Sequence, residues 1–546
     1  MPGTLSTDKA LFPLWFSGTV CREEATLETH TTLINRVAIG DIVRRAAVLT
    51  PTKTAFIEGE RAMSFRAFDD ACNQFAHYLL SRGLKKGDAV ACLCANSLDF
   101  IIAAYGIAKA GLVWVPMNVL LTREQLDYII GMVEAKLLIV DAGFLPVMEG
   151  PGDPVPPKIV IEAGAPAPAG LTRFSATLDG QPMDDPEAEI DDRDTAMIMF
   201  TSGTTARQKG VVISHLAVYV AALNNIIELE MRQDDVTVAM LPFFHCAQHT
   251  LANSFLARGA TQIVMRGFDA VALMENITNH GVTWCFALPT MWRAVLDHPE
   301  RARYRFSSMR YGLYAMTPMD NETLTRLINE VCPRFALSSG QTETYPSTCV
   351  FKPEDQFAKK GQYWGEQSLT AEFQIMDDDG NLLPRGEVGE LVVRGPVVMM
   401  EYLKDPEATQ AARAHGWHHT GDLGLIDADG LFLFKDRKKD MIKSGGENVA
   451  SCTVEGAILG HPAIAAAAVV GLPHAHWIEA VTAFVVPKPE TALNEADVIA
   501  WCRERLAHHE VPKKVVFLER FPMTVTGKVL KHVLRAEHTD LYKAGS

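Results

Sequence analysis

A chain of 546 residues is too long to fold around one core, so we expect two or more domains. Its 51 basic and 66 acidic residues give a formal net charge of −15. This balance disfavours a nucleic-acid-binding protein, because contact with the phosphate backbone needs a basic face. It also disfavours adsorption to an anionic membrane.

The N-terminus and the cysteines indicate the cellular compartment in which the chain folds. The apolar segment from Ala10 to Cys21 follows Lys9 as the core of a secretory signal would, but Pro13 interrupts it and no small-x-small cleavage site follows. We therefore expect a lead-in segment packed on the first domain, and no integral membrane segment. The ten cysteines form no CxxC pair and no Cys/His cluster, which disfavours structural zinc and a disulfide framework. Reduced cysteines fit a cytoplasmic protein.

Strand-like and helix-like segments alternate along the first part of the chain. Thr122 and Gln125 have the spacing of a capping box, opening a helix with Leu126 and Ile129 on one face. This rhythm predicts parallel strands covered by helices. In chain order, the predicted elements are a strand over 88–94, a helix over 98–109, a strand over 112–115, the capped helix, and a strand over 137–140.

Two later changes in composition divide the chain further. Residues 150–170 are rich in Pro, Gly and Ala and predict a surface excursion. The charge cluster from Lys435 to Asp440 precedes a compact α+β unit of about a hundred residues. We expect an α/β protein with a large N-terminal domain of mixed sheets layered with helices (1–435), a hinge (436–440) and a small mobile α+β C-terminal domain (441–546).

A loop rich in glycine and hydroxyl side chains follows the strand-like segment 196–200. Its backbone amides and hydroxyls can converge on phosphate oxygens, and Lys209 supplies a cation. It is not a Walker loop, because Lys209 precedes the glycine and both flanks are strand-like. The candidate phosphate-binding residues are Thr201, Ser202, Gly203, Thr204, Thr205 and Lys209.

This loop resembles that of the adenylate-forming superfamily, which includes acyl-CoA synthetases, adenylation domains of peptide synthetases and firefly luciferase. Co-linear matches follow at 242–245, 340–343, 389–396, 417–422, 436–448 and 526–528, so the resemblance covers nearly the whole chain. It implies an ATP-dependent acyl-CoA synthetase of the acid–thiol ligase class. Such an enzyme activates a carboxylic acid, fatty or aryl, as acyl-AMP with release of pyrophosphate. It then transfers the acyl group to coenzyme A.

The resemblance also assigns roles to residues of the nucleotide site. Glu343 would hold Mg²⁺ against the phosphates, and Lys528 would bridge the acyl carboxylate and the α-phosphate. The implied ATP- or AMP-binding residues beyond the loop are Gly340, Gln341, Thr342, Asp422, Arg437 and Lys528. The implied catalytic residues are Lys528, His245, Thr342 and Glu343.

The remaining implied roles concern the acid, the thiol and domain movement. The acyl pocket would be lined by Phe243, His245, Ala315 and Met316, with His245 as a gate. Gly445 and Gly446 would let the pantetheine arm of coenzyme A pass close to the backbone. Lys439 would be the pivot about which the C-terminal domain rotates between the two half-reactions.

The sequence departs from the family pattern at several uncharged positions. Ala206 and Gln208 replace a glycine and a proline of the phosphate loop, and Ser339 replaces the aromatic residue that stacks on adenine. Ser451 stands near the place of a usual proline. The charged residues of the motifs are retained, which favours an active enzyme with an altered grip on the nucleotide.

Two other functions are compatible with the same sequence. The first is identical adenylation with transfer to an amine or a carrier-protein thiol; the segment from Gly445 to Asn448 favours coenzyme A. The second is a non-catalytic acyl- or nucleotide-binding paralogue, which the retained charged residues disfavour. The expected partners are a small carboxylic acid and coenzyme A, with no nucleic acid, and we expect a homodimer.

Overall fold

The computed structural model describes residues 33–149, 156–201, 208–315, 319–346, 348–489, 491–523 and 529–543. The strands are β1 (Thr54–Glu58), β2 (Arg61–Ser64), β3 (Ala89–Leu93), β4 (Val113–Pro116), β5 (Leu137–Asp141), β6 (Lys158–Ile161), β7 (Thr172–Arg173), β8 (Thr195–Thr201), β9 (Lys209–Ser214), β10 (Val236–Ala239), β11 (Thr261–Val264), β12 (Trp284–Phe286), β13 (Tyr311–Ala315), β14 (Phe335–Ser339), β15 (Cys349–Phe351), β16 (Tyr363–Gln367), β17 (Glu372–Met376), β18 (Gly389–Arg394), β19 (Glu401–Tyr402), β20 (His418–Ile426), β21 (Phe432–Arg437), β22 (Ile442–Ser444), β23 (Glu447–Val449), β24 (Ile464–His474), β25 (Ile478–Pro487) and β26 (Lys514–Phe517).

The α-helices cover the faces of the sheets that these strands form. They are α1 (Ile39–Leu49), α2 (Phe65–Ser81), α3 (Leu98–Lys109), α4 (Arg123–Val133), α5 (His215–Glu228), α6 (Cys246–Arg258), α7 (Ala270–His280), α8 (Pro289–Leu296), α9 (Asn321–Glu330), α10 (Pro406–Ala412), α11 (Ser451–Leu459), α12 (Glu495–Arg503) and α13 (Lys531–Glu537). None of the described helices is long and apolar enough to cross a lipid bilayer.

Three sheets organise the described residues. The first has the order β19-β9-β8-β4-β3-β5-β6-β7, with parallel pairing from β4 through β7 and an antiparallel β8–β9 pair. The second runs β17-β18-β20-β21-β16-β15-β14-β13-β12-β10-β11-β1-β2, changing from antiparallel to parallel pairing at β14. The third, β23-β22-β25-β24 with β26 beside β25, forms the small C-terminal unit. The predicted fold class, mixed sheets with helices and a smaller α+β domain, is confirmed.

The alternating elements of the first part occur where the sequence predicts them. Helix α3 has the predicted bounds, and the Ser97 hydroxyl caps it by accepting a hydrogen bond from Phe100 N at 3.2 Å. The capping box of α4 is present, with Thr122 and Gln125 satisfying each other's backbone amides. The residues of β3 are all buried, as expected of a parallel strand covered on both faces.

The prediction of a surface excursion over residues 150–170 is wrong in part. Residues 158–161 form β6, which pairs in parallel with β5 and buries Ile159, Val160 and Ile161. Apolar β-branched side chains gain more free energy by extending the buried sheet than the flanking prolines and glycines cost. The neighbouring segment 150–155 lies outside the described residues.

The predicted hinge begins inside a strand. Strand β21 continues through Asp436 to Arg437, and residues 438–440 form the turn that leaves it. Asp440 N and Met441 N both donate to Arg437 O, at 2.8 and 3.0 Å, which closes this turn. The domain limits at 435 and 441 stay predictions.

A buried ion pair joins two helices next to the first sheet. Lys109, at the end of α3, has a side chain that is 1% exposed, and its Nζ lies 2.8 Å from Asp69 Oδ1 of α2 and 3.2 Å from Asp185 Oδ2. A charge buried in this way is costly to leave alone. Removal of one partner would therefore leave an uncompensated charge in the interface between α2 and α3, beside the ring contact of Phe68 with Tyr105.

We predict that Lys109→Ala lowers the free energy of unfolding by about 3–5 kcal/mol, because buried Asp69 keeps only the more distant and half-exposed Arg66 guanidinium, 3.7 Å away. Lys404→Ala is the matched control, since it breaks a pair of similar length, 2.7 Å to Glu134 Oε1, that is exposed to solvent. The control should cost at most about 1 kcal/mol. Urea denaturation followed by tryptophan fluorescence measures both, and equal losses would contradict the prediction.

Candidate active site

The candidate phosphate loop connects two antiparallel strands, as its flanks predict. Thr201, the last residue of β8, pairs with Lys209, the first residue of β9. Ser202, Gly203, Thr204 and Thr205 lie outside the described residues, so their predicted roles stay predictions. The Lys209 ammonium lies 4.7 Å from the centroid of the Tyr402 ring.

A tight turn follows β14 and carries the next motif. A Cβ on Gly340 would lie 2.8 Å from Pro346 Cα, so the turn can close only with glycine there. Thr342 to Thr344 form one turn of 3₁₀ helix. The Gln341 side-chain amide donates to Thr420 O at 3.3 Å, which joins this turn to the segment that leads to Asp422.

Glu343 is held through both its side chain and its backbone. Its Oε1 accepts a hydrogen bond from the Tyr402 hydroxyl at 2.9 Å, and its carbonyl accepts from Met399 N at 2.7 Å. Burial and the neighbouring Glu343 carboxylate raise the pKa of Tyr402. Tyr402 was missed by the sequence reasoning, because a two-residue strand carries no periodic pattern.

The donors around Glu343 fit magnesium bound together with a nucleotide. Mg²⁺ keeps several waters and takes one or two carboxylates plus phosphate oxygens. In the described part of the chain, no group of three or more His, Cys, Asp or Glu side chains forms a ready-made cage. Glu343 would hold the ion by one carboxylate, near the lysine that follows the phosphate loop.

Asp422 and Arg437 face each other across two strands. They are register partners of β20 and β21, and Arg437 Nε lies 3.5 Å from Asp422 Oδ1. Asp422 N donates to Thr420 Oγ1 at 3.1 Å, and Asp422 is 7% exposed. The two predicted ribose contacts are thus adjacent, beside the Gln341 turn.

His245 stands at the N-terminus of α6 and contacts the same turn through its neighbour. Its Nδ1 accepts from Ala247 N at 3.3 Å and lies 3.7 Å from Cys246 Sγ, which is 3.4 Å from Thr342 Oγ1. Burial raises the pKa of the Cys246 thiol and lowers that of the His245 imidazole. Their mutual attraction outweighs both effects, so the thiol pKa is lowered and the imidazole pKa raised.

A buried polar and aromatic cluster includes His249, which lies one helical turn after His245 and donates its backbone N–H to His245 O at 3.2 Å. His249 Nδ1 lies 2.6 Å from the Tyr345 hydroxyl, and the Tyr105 hydroxyl donates to Asn253 Oδ1 at 3.1 Å. Burial lowers the pKa of His249 to about 3, so this imidazole is neutral at physiological pH. We call these four side chains the floor cluster, and each of them is at most 2% exposed.

One of the predicted acyl residues, Phe243, contacts this cluster. The Phe243 ring packs edge-on against His249, with the ring centroids 5.1 Å apart. Ala315 ends β13 and pairs with Ser338, whose neighbour Ser339 ends β14. Met316 lies outside the described residues. Phe243 and His245 are therefore close to one buried region, and the lining by Met316 stays a prediction.

The two glycines predicted to lie along the thiol path form the tip of a hairpin. Gly445 and Gly446 join β22 to β23 with φ of 63° and 90°, a two-residue turn that strongly favours glycine at both positions. Gly445 N donates to Trp477 O at 2.8 Å, and a Cβ on Gly445 would lie 2.9 Å from the Trp477 ring. Lys439 lies in the turn after β21, whereas Lys528 lies outside the described residues.

Comparisons with known proteins identify the family of the chain. The model of the AMP-binding enzyme family matches residues 43–403, and that of the AMP-binding enzyme C-terminal domain matches residues 453–528. The chain is 34% identical over 510 residues to a long-chain-fatty-acid–CoA ligase of Mycobacterium tuberculosis, covering 92% of this chain and 98% of the relative. It is 32% identical to a feruloyl-CoA synthase of an Amycolatopsis species, covering 90% and 97%. The crystal structure of an anthranilate CoA ligase in complex with anthranoyl-AMP is similar with a TM-score of 0.83 and 26% identity, covering 93% and 98%.

His418, four residues before Asp422, is buried without a hydrogen-bond partner for either ring nitrogen among the described residues. Burial lowers its pKa to about 4, from an ordinary value of about 6.5. The unfolded chain therefore binds a proton between these values that the folded chain does not. The contribution of neutral His418 to the free energy of unfolding is therefore fully present above about pH 6.5. It is lost progressively as the pH drops towards 4.

We predict that His418→Phe makes the protein less sensitive to acid, because it replaces a buried imidazole with a ring that cannot be protonated. Between pH 7.5 and pH 5, the variant should lose about 2 kcal/mol less unfolding free energy than the wild type. Denaturant titrations at both pH values measure this, with the exposed His508→Asn as control. Parallel losses in wild type and His418→Phe would refute the prediction.

Proposed function

Because this chain belongs to the AMP-binding enzyme family and is an AMP-forming acid–thiol ligase of its acyl-CoA synthetase branch, we propose which residues perform each step. The acid is joined to AMP at the site formed by Lys209, Thr342 and Glu343, and the acyl group then passes to coenzyme A. The observation that carries this proposal is the meeting of Lys209 and Glu343 at one side chain, Tyr402. The Asp422–Arg437 pair lies one hydrogen-bonded link away, through Gln341 and Thr420.

The reaction explains why opposite charges gather here. A carboxylate that attacks the α-phosphate of ATP brings two anions together, so catalysis depends on neutralising charge and aligning the reactants. Magnesium at Glu343 would supply a doubly positive charge against the phosphate oxygens. We assign Lys209 to the phosphates, Asp422 and Arg437 to the ribose hydroxyls, and Lys528 to the developing charge between acid and phosphate.

Pyrophosphate release across a panel of carboxylic acids, with and without coenzyme A, tests the overall reaction. We expect pyrophosphate to form with a suitable acid and an acyl-CoA thioester to appear in the mass spectrum when coenzyme A is added. An amide formed from supplied amines, with no thioester from any acid, would favour the amide-forming alternative. Binding of ATP and acid without pyrophosphate would favour a non-catalytic paralogue.

We predict that Lys528→Ala slows acyl-adenylate formation by roughly 10²–10³-fold, the usual cost of losing one preorganised donor at a developing charge. The variant should still convert presynthesised acyl-AMP into the thioester, because that half-reaction does not need the lysine at the α-phosphate. Separate assays of the two half-reactions measure this. Adenylation at the wild-type rate would show that another residue has this role.

The two half-reactions need different occupants of the same site, so we also propose domain rotation about Lys439. The turn at 438–440, with exposed Lys438 and Lys439, supports a pivot there. A homodimer is proposed on general grounds, and light scattering tests it. A cytoplasmic location is proposed because the described cysteines are free.

We propose further that the acid is compact, either aryl or short-chain. The floor cluster supports this, because His249 and Tyr345 are hydrogen-bonded to each other, and each follows by three residues a member of the Cys246–Thr342 contact. The rings of Trp114 and Phe243 pack on His249, with centroids 4.6 and 5.1 Å away. A long alkyl chain running inward from His245 would have to displace this satisfied polar network.

We predict that the wild type uses aryl and short-chain acids at least about tenfold better than long-chain acids, measured as kcat/KM. A tenfold difference in kcat/KM corresponds to about 1.4 kcal/mol of transition-state stabilisation. We expect a long acid to lose at least this much where its chain end meets the floor cluster. His249→Ala should shift the optimum towards longer acids, because it removes the imidazole from the floor. Ser254→Ala, on a different face of α6, serves as control. A wild type that prefers long-chain acids would overturn the compact-acid proposal and leave the adenylation chemistry unaffected.

A further inference from the structure

Tyr402 lies between two groups of opposite charge. On one side, the Lys209 ammonium lies 4.7 Å from the ring centroid, within the range of a cation–π contact. On the other, the phenol donates a hydrogen bond to Glu343 Oε1 at 2.9 Å. Within the described residues no ion pair joins Lys209 to Glu343 directly. Each charge has a partner that leaves it able to bind a ligand.

The backbone fixes this position from two directions. Strand β19 pairs with β9, placing Tyr402 opposite Val211, and Leu403 N donates to Gly210 O at 2.8 Å. In the same segment, Met399 N donates to Glu343 O at 2.7 Å. The backbone segment that carries Tyr402 is therefore hydrogen-bonded both to the strand that carries Lys209 and to the turn that carries Glu343.

A second tyrosine in the chain shows what happens without such separation. The Lys359 ammonium lies 5.4 Å from the centroid of the Tyr363 ring, and the Tyr363 hydroxyl is hydrogen-bonded to Asp427. There the lysine also reaches the carboxylate itself, with Lys359 Nζ 2.6 Å from Asp427 Oδ2. Those two charges neutralise each other, whereas Lys209 and Glu343 do not.

We propose that Tyr402 is a positioning residue, which keeps Lys209 and Glu343 apart and holds the Glu343 carboxylate ready for the magnesium–nucleotide complex. This proposal rests on the proposed function, in which Glu343 holds magnesium and Lys209 contacts the phosphates. The phenol orients one carboxylate oxygen, and the ring face holds the ammonium by an attraction weaker than an ion pair. Loss of the hydroxyl alone should therefore weaken the binding of magnesium more than the binding of the nucleotide.

The test is calorimetric binding of ATP, without acid, in the presence of Mg²⁺ and again in EDTA. Tyr402→Phe should weaken binding in Mg²⁺ by roughly tenfold, as for a lost hydrogen bond to a charged group, and change binding in EDTA by less than about twofold. Tyr402→Leu should weaken binding in both conditions, because it also removes the ring under Lys209. Tyr363→Phe is the matched control and should change neither affinity by more than about twofold.

A double-mutant cycle separates positioning from general damage. If Tyr402 acts through Glu343, Tyr402→Phe should cause no further loss of magnesium-dependent affinity in the Glu343→Gln variant. Additive losses, or an unchanged response of Tyr402→Phe to Mg²⁺, would overturn the proposal while leaving the proposed function intact. A wild type whose ATP affinity does not respond to Mg²⁺ would overturn the proposed magnesium role of Glu343 and this proposal with it, whereas pyrophosphate release tests the proposed reaction separately. Melting temperatures of all variants confirm that each is folded.

Discussion

The pairing of β19 with β9 is the contact on which the rest of the site depends. It attaches a two-residue strand to the end of the phosphate-loop hairpin, and the chain just before it is bound to the backbone of Glu343. Without it, Lys209 would lie at the edge of one sheet and Glu343 in the turn after a strand of another, without this backbone link between them. The Gln341–Thr420 link adds the β20–β21 hairpin, and with it Asp422 and Arg437. The site is therefore a junction of two sheets, held by a few hydrogen bonds at strand ends.

The floor cluster near this junction consists of buried polar side chains that are hydrogen-bonded to one another. Asn253 donates to His249 O at 2.8 Å and to the Tyr345 hydroxyl at 3.3 Å, so the cost of burying these groups is largely offset within the network. Tyr345 also adopts a left-handed conformation, with φ of 38°, which a tyrosine accepts only when its surroundings hold it there. Such a network resists deformation, and this is why we expect it to limit the length of the acid.

Sequence reasoning succeeded where one element has a strong pattern of its own. Helix α3 and the capping box of α4 are specified locally by apolar spacing and cap residues, so their bounds could be read directly. Strand β6 was missed because its four residues lie among prolines and glycines, and only pairing with β5 reveals it. Tyr402 and the floor cluster could not be predicted for a related reason. Their roles arise from contacts between distant segments, such as the 96 residues that separate His249 from Tyr345.

The departure at Ser451 shows how an uncharged substitution can matter to domain movement. Ser451 N donates to Asp436, and Ser451 Oγ accepts from Lys531 Nζ at 2.7 Å, so a proline here would remove the first contact. Asp436 precedes the proposed pivot at Lys439, whereas Ser451 follows it. A rotation about Lys439 must therefore break the contact between Asp436 and Ser451.

The ion pair on the other side of the pivot behaves differently. Asp440 Oδ1 accepts from Arg535 at 2.7 Å, and both residues follow Lys439, so this pair can move as one body with the C-terminal domain. The residues on both sides of the turn are therefore held by contacts with the C-terminal domain. Rotation breaks the contact of Asp436 with Ser451 and preserves the contact of Asp440 with Arg535. Ser451, in place of a residue with no amide hydrogen, makes the breakable contact possible. It would stabilise the orientation described here relative to the rotated one by about 1.5–3 kcal/mol, the usual net value of a hydrogen bond to a charged group.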